Sequence, residues 1–272
     1  MKNVLITGCS TGIGYCLATQ LEKSGYKVLA TARDKSDVEN LKSSGLAAID
    51  LDLADSQSIA NAVQWSLEES QGLIYGLVNN GAYGQPGAVE DLSRDALIDQ
   101  FQTNVFGTQE LTNLIIPVMR KFNQGRIIQI SSILGLICLP YRGAYNASKY
   151  ALEALTDTMR IELSQTGIKL SLIEPGPIES EFRKNALSMF YKYIKIDDSA
   201  HQQHYSSVQD RLQAIDNVPF TLPADAVLKK VVHALSSENP KIRYKVTVPA
   251  IGLSYLKRLF PDKLFDKVIG RL

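Results

Sequence analysis

Tyr145 and Lys149 stand four residues apart in a stretch of helical periodicity, so their side chains share one face. A tyrosine hydroxyl ordinarily titrates near ~10. Acid or base work near neutral pH needs that value lowered by ~3 units, equivalent to roughly 4 kcal/mol. A neighbouring ammonium acts in that direction. Ser132 lies 13 residues before Tyr145, after an expected strand, where its hydroxyl could hold a reacting oxygen. Taken alone, the Tyr-x-x-x-Lys spacing also describes an ordinary pair on a helix surface.

A second group of residues suits phosphate. Thr7-Gly8-Cys9-Ser10-Thr11-Gly12-Ile13-Gly14 falls between the first expected strand and the first expected helix. Gly8 permits a tight turn, Gly12 lets the backbone approach a pyrophosphate, and Gly14 allows close packing of helix on strand. The helix start that follows offers free N–H groups to an anion. The spacing is GxxxGxG rather than the general GxGxxG. Beyond it, Ala32 occupies the place where a site for NAD usually carries an acid for the ribose. Arg33 follows, 19 residues after Gly14, and can fork onto a ribose 2′-phosphate. That pattern favours NADP(H); the other reading is a solvated Arg33 with Asp34 on the ribose. Asp52-Leu53 and Asn79-Asn80-Gly81-Ala82 end two further expected strands, where adenine and ribose contacts would fall, or simple turn chemistry.

The elements that must position these residues alternate strand and helix. Strands are expected at 4–6, 27–31, 46–49, 75–78, 126–130, 168–173 and 243–248. Helices are expected at 13–23, 37–44, 56–70, 93–122, 145–165 and 223–236, the long one weakened at Gly107 and Pro117. Short continuous apolar strands between helices predict an α/β fold: a doubly wound parallel sheet of about seven strands in one Rossmann-type domain over residues 1–272. Residues 181–217 break the pattern and are rich in aromatics, including Phe182, Phe190, Tyr191, Tyr193 and Tyr205. They read as a helical lid over a substrate; the alternative is a disordered surface insertion.

In this order, Gly8/Gly12/Gly14, Asn79-Asn80-Gly81, Asn104, Ser132, Tyr145/Lys149 and Pro175-Gly176 resemble the short-chain dehydrogenase/reductase family. The spacings of 28 residues from Asn104 to Ser132 and 13 from Ser132 to Tyr145 are similar to that family's. The resemblance covers about residues 1–180 strongly and the rest loosely. It looks closest to bacterial NADP-dependent aldehyde reductases, then to retinol and 17-beta-hydroxysteroid dehydrogenases. It implies that Tyr145 is the acid/base, with the oxidised nicotinamide's positive charge adding to that of Lys149. Lys149 would also bind the nicotinamide ribose, and Ser132 would orient the substrate oxygen. Asn104 would hold a relay water, and Pro175, Gly176, Ile178 and Ser180 would lie beside the nicotinamide. Ser10, Thr11 and Ile13 in the glycine loop, Asn80, Gly81 and Ala82, and Asn104 and Tyr145 themselves would complete the cofactor contacts. Two positions depart from the pattern: the family more often reads Asn-Asn-Ala-Gly at 79–82, and Ser180 stands where Thr is common.

Between Ser132 and Tyr145 the chain reads Ile133-Leu134-Gly135-Leu136-Ile137-Cys138-Leu139-Pro140. Beside a reactive carbon this is an apolar wall suited to an aldehyde, ketone or alcohol rather than a charged sugar; otherwise it is core or subunit interface. A basic amphipathic segment at 253–272, with Leu264, Phe265, Val268, Ile269 and Leu272 on one face, would rest on a membrane surface or pack on protein. The net charge of +1 gives no field for nucleic acid. Cys9, Cys16 and Cys138 form no CxxC pair and read as reduced, mostly buried thiols. His201 and His204 lack a third metal ligand, so no metal is expected. No long apolar segment suggests a signal peptide or a membrane span, and a cytoplasmic homodimer or homotetramer is expected, the assembly by resemblance alone. Two other classes of function stay open: a catalytically silent cofactor sensor, and an assembly subunit docking through 181–217.

Overall fold

Val4-Leu5-Ile6, the first apolar run, is fully buried because it lies mid-sheet with helices on both faces. The computed structural model describes residues 1–214 and 219–270. Its first half runs β1 (Lys2–Ile6), α1 (Gly12–Lys23), β2 (Tyr26–Ala32), α2 (Lys35–Ser43), β3 (Ala47–Asp50), α3 (Ser56–Glu69) and β4 (Ile74–Asn79). Next come α4 (Arg94–Phe101), α5 (Thr108–Lys121), β5 (Gly125–Ile130), α6 (Gly143–Glu162) and β6 (Ile168–Glu174). The chain continues through α7 (Phe182–Tyr193), α8 (Gln202–Gln213), α9 (Asp225–Ser236), β7 (Arg243–Lys245), α10 (Val248–Leu259) and α11 (Asp262–Ile269).

The seven strands pair in parallel in the order β3-β2-β1-β4-β5-β6-β7. Alternation along each strand divides the core. Val4 and Ile6 join Leu17 and Leu21 of α1 and Val227 and Val231 of α9. Leu5 points the other way, to Ile59 of α3, Leu111 and Ile115 of α5 and Met159 of α6. The direction of chain progress reverses between β1 and β4, which opens a crevice at their carboxyl ends. The expected doubly wound sheet is therefore the observed one.

Several boundaries differ from the sequence expectation. The long helix over 93–122 is two α-helices joined by a π turn at Gln102–Gly107. A Cβ on Gly107 would lie 1.7 Å from the Leu53 carbonyl oxygen, so this close approach to the β3–α3 loop admits only glycine. Pro117 is accommodated within α5. The last strand stops at Lys245 rather than at 248, because Thr247 caps α10: its Oγ accepts the Ala250 N–H at 3.2 Å.

The segment after β6 forms helices α7 and α8 around a small core of Ala186, Phe190, Tyr205, Val208 and Leu212; residues 215–217 of the expected lid lie outside the described residues. The C-terminal segment is not one amphipathic helix. It breaks at Pro261, and Phe265 and Ile269 pack on Ile133, Leu134 and Ile137 of the chain's own domain. Leu272 lies outside the described residues. Among the described residues no helix is long and apolar enough to cross a membrane. Only Cys9 is fully buried; Cys16 is half-buried and Cys138 exposed, against the expectation of mostly buried thiols. Cys138 is exposed because the 133–140 loop comes to the surface after buried Ile137, where Pro140 is exposed as well. His201 and His204 lie against Tyr141, and His201 Nε2 is 2.5 Å from Glu90 Oε1.

Candidate active site

The glycine loop between β1 and α1 is held by contacts that admit little substitution. Gly8 and Gly12 have φ of +70° and +55°, the left-handed region that glycine adopts freely. A Cβ on Gly14 would lie 2.0 Å from the Gly8 carbonyl oxygen. Asn80 Nδ2 donates to the Thr7 and Gly8 carbonyls, both at 2.9 Å. Thr7 Oγ accepts the Asn80 and Gly81 N–H groups at 2.9 and 2.8 Å. Thr7 therefore ties the β1 and β4 loops together, a role sequence reading did not give it. At the start of α1, Ser10 and Thr11 are exposed, Thr11 makes no side-chain cap, and no acid occupies the first turn. This start fits a phosphate group. Ile13 packs partly on the core behind it.

Arg33 is exposed just past buried Ala32 and is 3.6 Å from Asp34 Oδ1. Arg33 and Asp52 line one groove of about 370 Å³ with Ile49 and Asp50. Asp52 Oδ1 accepts the Ala54 N–H at 2.9 Å, so it also shapes its own turn. Leu53 is buried and its Cδ1 lies near Gly81. Ala82 follows on the same half-buried loop.

Ser132, Tyr145, Lys149 and Asn104 come together at the carboxyl ends of β4 and β5. Ser132 Oγ accepts the Leu134 N–H at 3.1 Å, fixing the turn after β5. Burial pushes the Tyr145 hydroxyl up to about 12, opposed by a hydrogen bond with Ser132 and by the Arg142 guanidinium. The downward pull expected from Lys149 is thus not the controlling influence. The ammonium instead donates to the Ile130 carbonyl at 2.8 Å and lies 5.7 Å from the Tyr145 ring centre. Burial brings Lys149 itself down to about 8, against the attraction of Glu153. Ser131, the neighbouring serine, is turned inward toward Glu153.

Asn104 sits in the π turn. Its side chain accepts the Tyr83 N–H at 3.1 Å and donates to the Tyr83 carbonyl at 2.9 Å and to Ser148 Oγ at 3.1 Å. The amide therefore pins the loop after β4 to α6, one residue from Lys149, and a relay water would have to use another group. The backbone of a π turn offers one, because its i→i+5 pattern shifts the carbonyls out of α register.

At the end of β6, the Pro175 carbonyl accepts the Ile133 N–H at 2.8 Å, which joins this loop to Ser132. Gly176 lies against Thr247, and Ile178 pairs with Leu222. Ser180 reaches the glycine loop: a Cβ on Gly12 would lie 2.7 Å from Ser180 Cβ. Phe182 then meets Tyr145 edge-on with ring centres 5.3 Å apart. Of the expected apolar wall, Ile133, Leu134 and Ile137 are buried against α10 and α11; Leu136 and Leu139 remain partly open. The wall is thus largely core.

A family model for the short chain dehydrogenases matches residues 2–189. The chain belongs to the short-chain dehydrogenase family. Oxidoreductase YbbO of Escherichia coli (strain K12), itself named uncharacterized, is 40% identical over 268 residues, 98% of this chain and 94% of the relative. Retinol dehydrogenase 8 of Homo sapiens is 34% identical over 270 residues, 94% of this chain and 85% of the relative. Among solved structures, a short-chain dehydrogenase from Streptomyces avermitilis has a TM-score of 0.80 at 27% identity, covering 100% of this chain and 94% of that one.

Within this short-chain dehydrogenase, the shifted glycine at 81 has a local reason. A Cβ on Gly8 would lie 2.8 Å from Gly81 Cα, so the two loops touch at their glycines. Behind Lys149, one helical turn along α6, Glu153 forms an ion pair with Arg243 at 2.8 Å. Arg243 also meets Asp157 at 2.8 Å and Glu174 at 2.9 Å. The i,i+4 spacing of Lys149 and Glu153 was the signal available in the sequence; the partners from β6 and β7 had none.

Burial and the neighbouring Glu153 raise Glu174 to about 7 from its ordinary 4.5. Between those values the folded chain holds a proton that the unfolded chain has lost. This contribution is fully present below about 4.5 and is lost as pH rises through about 7. Glu174→Gln removes the ionisation. Its melting temperature relative to the parent is therefore expected to be higher at pH ~8 than at pH ~5. An equal difference at both pH values in thermal melts would contradict the assignment.

Proposed function

We propose that this protein is an NADP(H)-dependent oxidoreductase acting on an aldehyde or ketone, or on the corresponding alcohol, with Tyr145 as its acid/base. The observation that carries the reading is Ser132 next to the Tyr145 hydroxyl, with buried Lys149 holding its ammonium 5.7 Å from the Tyr145 ring centre, at the carboxyl ends of the strands next to the glycine loop. A bound nicotinamide would supply or take the hydride. The residues that would hold this cofactor are Gly8, Ser10, Thr11, Gly12, Ile13 and Gly14 at the phosphates, and Arg33, Asp52 and Leu53 at the adenosine end. Asn80, Gly81 and Ala82 would lie along the ribose, and Pro175, Gly176, Ile178 and Ser180 beside the nicotinamide. The tight glycine contacts and the uncapped start of α1 support this cradle.

Ser132 holds the substrate oxygen, and the Tyr145 hydroxyl gives its proton to that oxygen in reduction or takes it in oxidation. Lys149 would hold the nicotinamide ribose, its ammonium oriented by the Ile130 carbonyl; Asn104 positions the loop after β4 and, through the π-turn backbone, would hold a relay water. Helices α7 and α8 cover the substrate. An apolar part of the substrate next to the reacting carbon is supported by Phe182, Leu136 and Leu139 and by the name of the retinol dehydrogenase relative. Exposed Phe106, Leu114, Leu155 and Ile161, on the π turn, α5 and α6, support a homo-oligomer.

The test is NADPH oxidation, followed by absorbance, with purified protein and a panel of aliphatic, aromatic and steroid carbonyls. Turnover on one or more of them is expected; tight NADPH binding without turnover on any carbonyl or alcohol would favour a sensor. The choice of cofactor has its own test. Arg33→Ala is expected to cut the NADPH-over-NADH preference in kcat/KM by roughly 10- to 100-fold, the worth of charge-assisted hydrogen bonds. An unchanged ratio would move recognition of the ribose away from Arg33.

A further inference from the structure

We propose that the substrate carries an anionic group, a carboxylate or a phosphate, bound by Arg142, Arg183 and Arg211. The inference rests on Tyr145 being the reacting centre. Arg142 precedes Tyr145 by three residues at the start of α6, and its carbonyl accepts the Asn146 N–H at 2.8 Å. Arg183 is in the first turn of α7, next to Phe182, whose ring meets Tyr145. Arg211 is in the last turn of α8, which packs on α7. Three elements thus bring arginines to the neighbourhood of the tyrosine, near enough that their charges act on one another.

All three side chains are half-buried, and none has an ion pair or side-chain hydrogen bond among the described residues. Glu181, the acid nearest Arg183 in sequence, pairs with Lys184 at 3.4 Å. The contrast is Arg243, which meets three carboxylates. The arginines repel one another. Arg142 is pushed down to about 9 by burial, then by Arg211, with Arg183 adding to this and Tyr145 opposing it. Arg211 is pushed down by burial and by Arg183. Partly desolvated cations without an acid are unfavourable in the free protein, and a bound anion offsets that penalty. Guanidinium forks match the oxygens of carboxylate and phosphate. The place is beside the tyrosine: the Arg142 charge acts on the Tyr145 hydroxyl, and Arg183 follows Phe182, whose ring meets that of Tyr145.

The experiment compares matched carbonyl pairs: hexanal with adipate semialdehyde, and glycolaldehyde with its phosphate. The expected result is a kcat/KM roughly tenfold or more higher for the charged member of at least one pair. The pair that shows it tells carboxylate from phosphate. In Arg183→Gln and Arg211→Gln that ratio is expected to collapse toward one, and Arg211→Lys to restore part of it. Melting curves identify a variant that fails to fold. Equal turnover of charged and neutral members by the parent overturns the proposal and leaves the oxidoreductase reading standing. A rise in NADPH KM in the variants, the same with either substrate, also overturns it, since the arginines would then serve the cofactor's phosphates. With no turnover on any carbonyl, the oxidoreductase reading fails. Calorimetry with adipate and with glycolaldehyde phosphate then decides the anion site: binding by the parent and not by Arg211→Gln upholds it, and no binding by the parent overturns it.

Discussion

Tyr145→Phe is expected to lower carbonyl reduction by ~10²- to 10⁴-fold while leaving NADPH binding and the melting temperature near those of the parent. The change deletes one oxygen. The ring keeps its packing against Phe182 and against the buried cluster of Ile133, Leu134, Ile137, Ala250, Phe265 and Ile269, so the fold has no cause to move. What disappears is the proton at the substrate oxygen. Burial holds this hydroxyl up at about 12, so across the neutral range it is protonated and in the form that donates. Reduction therefore needs no prior ionisation, whereas oxidation of an alcohol needs the tyrosinate. Oxidation is accordingly expected to rise with pH. Reduction is expected to decline as pH climbs through about 8, where Lys149 loses its charge. Absorbance rates for both directions between pH ~6 and ~10 check the slopes. A Phe variant retaining more than about a tenth of parental turnover would remove Tyr145 from the role of proton carrier.

Gly14→Ala is the second large effect. The added Cβ would stand 2.0 Å from the Gly8 carbonyl oxygen and 2.6 Å from Asn80 Nδ2. Neither neighbour can yield cheaply. The oxygen belongs to backbone, and the amide is already bonded to the Thr7 and Gly8 carbonyls. The loop must shift by an ångström or so, taking the α1 N–H groups out of line with a phosphate. The expected loss in NADPH affinity is on the order of a hundredfold. Overpacking adds about 1–3 kcal/mol of destabilisation, or roughly 2–4 °C in Tm for each kcal/mol in a chain of this size. Gly252→Ala is the matched control: in α10 an added Cβ has nothing within 4 Å. It is expected to stabilise by about 0.4–1 kcal/mol. Fluorescence titration with NADPH and thermal melts measure both. Unimpaired NADPH binding by Gly14→Ala would show that the loop is not the phosphate cradle.

Sequence and structure agree most closely where chemistry and local geometry are the same thing. The glycines at 8, 12 and 14 are legible because a strand–turn–helix junction needs glycine at fixed offsets. Tyr145 and Lys149 are legible as a pair because four residues make about one helical turn. Alternating apolar strands and helices specify a parallel sheet, because such strands are buried on both faces. The end of the last strand was not legible, since Val246-Thr247-Val248 has the β-branched look of a strand. Thr247 stops it by capping a helix, which depends on where α10 packs.

Pairings between distant segments belong to the tertiary structure alone. Nothing in the spacing tells that Thr7 bridges to Asn80 and Gly81, that Ser180 folds back onto Gly12, or that the 133–137 run is covered by α10 and α11. Nor could spacing show that Arg142, Arg183 and Arg211 meet without an acid, since they come from helices up to 69 residues apart. Burial, too, is a property of the packed chain. The same tyrosine that sequence reading expected to be drawn down by Lys149 is held up at about 12, because packing removes water from its hydroxyl and aims the ammonium at Ile130. The sequence by itself determined the sheet, the glycine turn and the shared helix face of Tyr145 and Lys149, which follow from periodicity and backbone stereochemistry. Only the tertiary structure decided the environment of that pair, because electrostatics depends on distance and dielectric in space, not on separation along the chain.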